Sequence, residues 1–335
     1  MRAVPVIALT GYLGAGKTTL LNHVLRAPDA RIGVVINDFG ELNVDAALVT
    51  GQVDEPASIA GGCICCLPDD GALDVALQKL ADPKLNLDAI IVEASGLADP
   101  VAISRIIRFS GVDNVRPGGI VDVIDAAMHF DTVDRGGTAP ARYGAASLVV
   151  VNKLDRIPED GRGAALERIE ARVRERNPDA HVVGAVGGRV DPTLLYDAAG
   201  TAESVGQLSF RELLIEDQHH HVHADSVTVT GSGGVDPGAL VDLLEQRPAG
   251  VYRLKGTVAV RYRARTRGYV VNVVGTSIHV STADRAPAVN GLVAIGTSFD
   301  TDEVRAQMTT ALRPPEGAVS AAGLRRLQRY RQLSF

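Results

Sequence analysis

The chain has 335 residues, long enough for two domains, with 46% hydrophobic residues and a net charge of −6. That acidic balance argues against a surface built for nucleic acid, and no stretch of about 18 uninterrupted apolar residues offers a membrane span. All three cysteines fall between Cys63 and Cys66, a crowding that suits a reducing cytoplasmic compartment better than a disulfide framework.

The first apolar run, Val4 to Leu9, reads as a buried strand; it is too short for a secretory signal and runs straight into a glycine-rich loop. That loop, Gly11-Tyr12-Leu13-Gly14-Ala15-Gly16-Lys17-Thr18, fits the phosphate-loop pattern G-x-x-x-x-G-K-[ST] without a mismatch. Thr19, Leu20, Leu21, His23, Val24 and Leu25 follow as a helix, so the motif sits in the strand–loop–helix context it needs. Inward-facing amides and the positive end of the helix suit a bound nucleoside triphosphate. Lys17 is expected to reach the β- and γ-phosphates, and the Thr18 hydroxyl to reach Mg²⁺.

The run Ile32 to Ile36 is a second strand and leads into Asn37-Asp38-Phe39-Gly40-Glu41 and Asp45. A loop after a strand's C-terminal end faces the ligand in a parallel sheet, so Asp38 and Glu41 read as a switch segment near Mg²⁺ or a second metal, or as a solvated acidic loop. Gly62-Cys63-Ile64-Cys65-Cys66 packs three thiols into four residues. Thiolates select zinc, copper(I), iron–sulfur or cobalt(II). Three soft ligands from one short segment leave a fourth place to a carboxylate, histidine or water, which argues for an exchangeable site. A third strand, Ala89 to Val92, runs into Glu93-Ala94-Ser95-Gly96, where Gly96 is placed to meet a γ-phosphate and Glu93 to hold the water of a magnesium ion. A fourth, Gly119 to Ile124, ends at Asp125. A fifth, Leu148 to Val151, ends in Asn152-Lys153-Leu154-Asp155, the N-K-x-D guanine-reading pattern, with Asp155 accepting from the guanine N1–H and amine and Asn152 and Lys153 bracing the pocket. A helix over Arg162 to Arg176 and a strand from His181 complete an α/β half with a mainly parallel sheet.

Residues 206–224 read as a linker that carries His219-His220-His221-Val222-His223, a weak metal tract or a solvated loop. From Asp225 the pattern changes to alternating strands, a helix capped by Asp236-Pro237, short strands around Val251, Val258, Val270 and Ile278, and a last helix introduced by Asp300 and Glu303. This half is expected to be a smaller α+β domain over 225–312 with a largely antiparallel sheet. Arg261, Arg263, Arg265 and Arg267 alternate, so on one strand they line one face, as a solvated surface or a dock for an acidic partner. The arginine-rich tail, 313–335, is read as ending in a short helix and has no assigned role.

Taken together, the Gly11–Thr18 loop, Asn37 to Glu41, the Cys-x-Cys-Cys element, Glu93 to Gly96, Asn152 to Asp155, and Arg253-Leu254-Lys255-Gly256 with Ile295-Gly296 resemble a CobW-type P-loop GTPase, in the branch with metal-handling relatives of UreG and HypB. The resemblance covers nearly the whole chain, and the cysteine element is its most specific part. It implies a GTPase domain (1–205) followed by a CobW C-terminal domain. It also implies GTP hydrolysis with Mg²⁺, coupled to handling of Zn²⁺ or Co²⁺ as cargo for a client metalloprotein. Carried over by residue, Gly14, Ala15, Gly16, Lys17, Thr18 and Thr19 match the phosphate loop, and Cys63, Cys65 and Cys66 match the metal motif. Lys17, Thr18 and Glu93 are the catalytic candidates, with Asp38 a second candidate beside Glu93 for orienting water. Asp38 stands where many members carry glutamate. A cobalt-inserting GTPase for cobalamin synthesis and a nucleotide-stabilised metal buffer are alternatives, and self-association is left open.

Overall fold

The structure, a computed structural model, describes residues 3–26, 30–36, 57–58, 71–96, 98–196, 224–262, 265–315, 317, 319 and 321–334. Asp38, Glu41, Cys63, Cys65, Cys66 and the histidine tract lie outside the described residues. The chain divides into two compact units, Met1–Val222 and His223–Phe335. No helix among the described residues is long and apolar enough to cross a membrane.

In the first unit, strands β1 (Val4–Gly11), β2 (Ile32–Ile36), β3 (Ala57–Ser58), β4 (Ala89–Glu93), β5 (Val115–Asp125), β6 (Leu148–Asn152) and β7 (His181–Gly184) form one sheet in the order β3-β2-β4-β1-β5-β6-β7. Every pairing in it is parallel. Parallel strands need crossovers, and these are supplied by α1 (Lys17–Leu25), α2 (Gly71–Leu80), α3 (Pro100–Arg108), the short α4 (His129–Thr132) and α5 (Arg162–Arg176). Strands covered on both faces read as continuous apolar runs, as Ala89–Val92 and Leu148–Val151 do. Leu73 and Leu77 of α2 with Ile103 and Ile107 of α3 bury one face of β1, β2, β4 and β5. Ile169 and Val173 of α5 cover Val149 and Val151 of β6. Helix α3 begins where Asp99 accepts a 3.0 Å bond from the Val101 amide and Pro100 presets the first turn.

Strand β1 lies between β4 and β5, so the chain leaves β1 in one direction and returns on the other side. The crevice at such a reversal opens at the strands' C-terminal ends. The ends of β1, β4, β5, β6 and β7 therefore gather the loops that carry Gly11–Thr18, Glu93–Gly96, Asp125, Asn152–Asp155 and Gly187–Gly188.

The second unit is an antiparallel sheet with helices packed on it. Strands β8 (Asp225–Ser232), β9 (Val251–Tyr262), β10 (Arg265–Val274), β11 (Ser277–Thr282) and β12 (Val289–Gly296) run in the order β11-β10-β9-β12-β8. Helices α6 (Pro237–Glu245), α7 (Thr301–Leu312) and α8 (Ala321–Leu333) complete it. Asp236 caps α6 by accepting from the Gly238 and Ala239 amides at 2.7 and 3.0 Å, and Asp300 caps α7 in the same way at Asp302 and Glu303. The segments expected around Val251 and Val258 are one twelve-residue strand.

Two expectations change here. The alternating arginines do not form a single ridge, because a hairpin falls among them: β9 ends at Tyr262 and β10 begins at Arg265. In the register Arg265 faces Tyr262, Arg267 faces Val260 and Thr266 faces Arg261. Paired residues share a face, so Arg261 lies on the face opposite to Arg265 and Arg267. The basic tail, for its part, is structural. Leu327 of α8 is fully buried in the core of this unit, and Arg326 bridges Asp242 at 2.7 Å and Glu245 at 2.6 Å on α6. The Ser334 hydroxyl oxygen accepts a 3.0 Å bond from the Val280 amide on edge strand β11, satisfying a group that an edge leaves open.

Leu327→Ala is expected to destabilise this unit by about 2–5 kcal/mol through the cavity it leaves. Hydrogen exchange of the full chain checks it: the amides of β10 and β11 should exchange faster while those of β1 and β6 stay protected.

Candidate functional site

The phosphate loop joins the end of β1 to α1. Gly16 stands at φ +104°, immediately before the helix, and a Cβ there would lie 2.3 Å from Asn152 Nδ2. Glycine is therefore required at this position both by backbone conformation and by space. The Ala15 amide donates to the Tyr12 carbonyl at 3.1 Å, closing the turn. Lys17 Nζ donates to the Gly11 carbonyl at 3.1 Å and approaches that of Tyr12 at 3.5 Å, so the ammonium lies over its own loop. Thr19 is exposed in the first turn of α1.

Two of the sequence-derived elements, Glu93–Gly96 and Asn152–Asp155, meet this loop. Thr18 Oγ1 donates to Glu93 Oε1 at 2.9 Å, joining the helix start to the end of β4, where Glu93 is buried. Gly96 follows in a turn closed by the Ala98 amide on the Ser95 carbonyl at 2.9 Å, and lies directly against Leu13. Asn152, 1% exposed at the end of β6, donates through Nδ2 to the Ala15 carbonyl at 3.0 Å. Lys153 holds a left-handed backbone (φ +63°), donates to the Gly14 carbonyl, and forms a 2.7 Å ion pair with Asp125. Asp155, in the following 3-10 turn, is exposed.

Sequence reasoning missed two groups of residues. Gly188, in the loop after β7, donates its amide to Asn152 Oδ1 at 2.8 Å, so a single side-chain amide ties two loops together. Its signal was the Gly187-Gly188 pair at a strand end. The second group lies beneath: Asp122, fully buried on β5, accepts from Thr10 and Arg142. A carboxylate inside an apolar strand was its signal. A cavity of about 220 Å³ is lined by Tyr12–Ala15 together with Met128, His129 and Arg142.

His129 is buried, with Nε2 2.6 Å from the Tyr143 hydroxyl. Burial holds its pKa down at about 4, against the pull of Asp134 and Asp122, so the ring is neutral near pH 7. Asp134 is held below the usual carboxylate range by its hydrogen bonds from Arg172, at 2.8 and 2.9 Å.

A parallel sheet with a glycine-rich phosphate loop at its chain reversal, buttressed by the N-K-x-D turn, defines a P-loop nucleotide-binding protein. The chain belongs to the CobW/HypB/UreG family: the profile of its nucleotide-binding domain matches residues 5–184, and that of the cobalamin synthesis protein cobW C-terminal domain matches residues 224–312. It is similar to the zinc chaperone CobW of Sinorhizobium sp, with 29% identity over 300 residues, 79% of this chain and 81% of that protein. It is also similar to the zinc chaperone YjiA of Escherichia coli K12, with 30% identity over 207 residues, 60% of this chain and 63% of YjiA. The crystal structure of Zn(II)-bound YjiA GTPase from E. coli aligns over 94% of this chain and all of that one, with 22% identity and a TM-score of 0.44.

Two outcomes follow from this geometry. Gly16→Ala, which drives a methyl group into the Asn152 amide, should weaken GDP binding by about tenfold or more in a fluorescence titration with labelled GDP. Stability should also depend on His129. The unfolded imidazole protonates near pH 6.5 and the folded one only near 4, so the unfolded chain binds more protons between those values. Unfolding free energy from this residue should fall by up to about 3 kcal/mol as pH drops through that window. Urea denaturation at several pH values should show a shallower acid dependence for His129→Gln.

Proposed function

We propose that the protein is a GTP-hydrolysing metallochaperone that takes zinc as cargo and passes it to a client metalloprotein. The observation that carries the GTP part is the contact between the N-K-x-D turn and the phosphate loop, through Asn152 to Ala15 and Lys153 to Gly14. With Asp155 open to solvent beside it, a guanine's N1–H and amine find an acceptor that adenine's edge does not use. The zinc part is supported by the names of the relatives, zinc chaperones CobW and YjiA, and by the cysteine motif.

In this reading the amides of Gly14, Ala15, Gly16, Lys17, Thr18 and Thr19 surround the phosphates, and Gly11 turns the chain into the loop. Lys17 swings from its own carbonyls to the β- and γ-phosphate oxygens and stabilises charge on the transferred group. The Gly96 amide reports the γ-phosphate. Thr18 and Glu93, a hydroxyl and a buried carboxylate already 2.9 Å apart, are hard oxygen donors that fit Mg²⁺. Bound there, the ion would neutralise charge on the phosphates. Glu93, with Asp38, is also the candidate for orienting the attacking water, and slow turnover without a partner is expected.

The ends of the described strands lie close to the phosphate site: Ile36, the last residue of β2, pairs with Glu93 on one side and with Ser58 on the other, so β2, β3 and β4 end side by side. Cys63 is five residues beyond Ser58, a reach of at most about 17 Å of extended chain. Triphosphate in the loop is proposed to bring Cys63, Cys65 and Cys66 together with Glu41 or Asp38 as the oxygen donor, and hydrolysis to release the cargo. Cobalt accepts the same donors, and insertion of cobalt for cobalamin synthesis is the second reading.

The test is Zn²⁺ affinity measured with GDP and with a slowly hydrolysed GTP analogue, each with Mg²⁺. Coupling by linkage requires tighter Zn²⁺ with the analogue, by about five- to 150-fold; equal affinities contradict it. Cys63→Ser with Cys65→Ser should weaken Zn²⁺ and leave GTP binding nearly intact, and Lys17→Ala should abolish phosphate release from GTP.

A further inference from the structure

We infer that Thr10, Asp122 and Arg142 form a buried clamp that positions the start of the phosphate loop, making Asp122 and Arg142 positioning residues for nucleotide binding. The inference rests on the nucleotide-binding reading above. Thr10 is the residue before Gly11 and is 1% exposed. Its hydroxyl has one proton. The Asp122 carboxylate at 2.9 Å is a stronger acceptor than the Val121 carbonyl at 3.3 Å, so the proton goes to Asp122. Parallel pairing sets Thr10 against Asp122 and Gly11 against Val123.

Arg142 grips the same carboxylate with a fork, Nε to Oδ2 at 3.0 Å and Nη2 to Oδ1 at 2.7 Å. The carboxylate, itself fully buried, thus receives three directional bonds, two of them from an arginine side chain that is 16% exposed. Gly11 rests on the strand that this fork fixes: at φ +150° its Cα lies so close to β5 that a Cβ would be 2.6 Å from the Val123 carbonyl oxygen. Arg142 also lines the 220 Å³ cavity that Tyr12–Ala15 line. One arginine therefore reaches the loop's entry through Asp122 and Thr10, and borders the same cavity as the loop.

Stability alone does not account for this arrangement. A buried ion pair gains little over apolar side chains of the same size, because desolvation offsets the attraction. Directional bonds, in contrast, fix where a chain starts. A loop with three glycines in its first six residues needs its entry fixed, since its own backbone is permissive.

Thr10→Val removes the hydroxyl at nearly constant volume and leaves the Asp122–Arg142 pair in place. A fluorescence titration with labelled GDP should show affinity weakened by about tenfold, in protein that stays folded by circular dichroism. Thr10→Ser, which restores the hydroxyl, should return affinity to the wild-type value. Thr10→Val binding GDP within about twofold of wild type overturns the clamp and leaves the nucleotide reading standing. Wild-type protein that does not bind GDP overturns both. If Thr10→Val does not fold, Arg142→Lys keeps the charge and loses the fork: weakened GDP binding supports the clamp, and unchanged binding overturns it.

Discussion

A glycine-rich loop cannot hold its own shape. The residues that let its backbone turn tightly around phosphate also leave it many other conformations, so the amides converge only if the loop is restrained from outside. In this protein the restraint at the far end is Asn152. Its amide nitrogen holds the Ala15 carbonyl, its oxygen holds the Gly188 amide, and Gly16 has no room for a methyl group because that amide is there. Lys153 adds a bond to Gly14 and is itself anchored on Asp125. The phosphate loop and the N-K-x-D turn are in this sense one object, built from strands β1, β5, β6 and β7 and their register.

That object has a consequence for energy and for selectivity. Order imposed before a ligand arrives does not have to be imposed by the ligand, so binding energy goes into the triphosphate and the base. In the proposed reading the same side chains fix the loop and flank the base pocket, so a purine held by the Asp155 carboxylate would find the phosphate amides in place. The neutral His129, packed on Tyr143 beyond the cavity, adds no charge to this region near pH 7.

Much of the fold was legible in the sequence, for an identifiable reason. Features confined to a few consecutive residues could be read: apolar runs for buried parallel strands, the Gly11–Thr18 spacing, the Asp-Pro start of α6, and the N-K-x-D turn after β6. Features made by pairing distant residues could not. Asn152 reaches Ala15, Arg142 reaches Asp122 on another element, and Gly188 reaches Asn152 only because β7 lies beside β6. Asp122 was visible as a charge in an apolar strand, but its partners depend on register. The arginine pattern misled for the same reason: alternation is a rule within one strand, and a hairpin resets it. The tail read as unassigned because its apolar stripe is thin: Gly323 packs against the start of α6 and Leu327 enters the core, while the arginines between them are exposed or half-buried.

The most direct measurement of the central claim, that the base-reading turn and the phosphate loop act as one guanine-selective unit, is a binding series of GDP, ADP and xanthosine diphosphate on wild-type protein and on Asp155→Asn. Asp155 accepts from N1–H and the amine, whereas asparagine can donate to the xanthine carbonyl, and neither change touches Asn152 or the glycine loop. The account expects wild-type protein to prefer GDP strongly over the other two, and the variant to prefer xanthosine diphosphate with a similar affinity. Equal binding of GDP and ADP by wild type, or an unchanged preference in the variant, would contradict it.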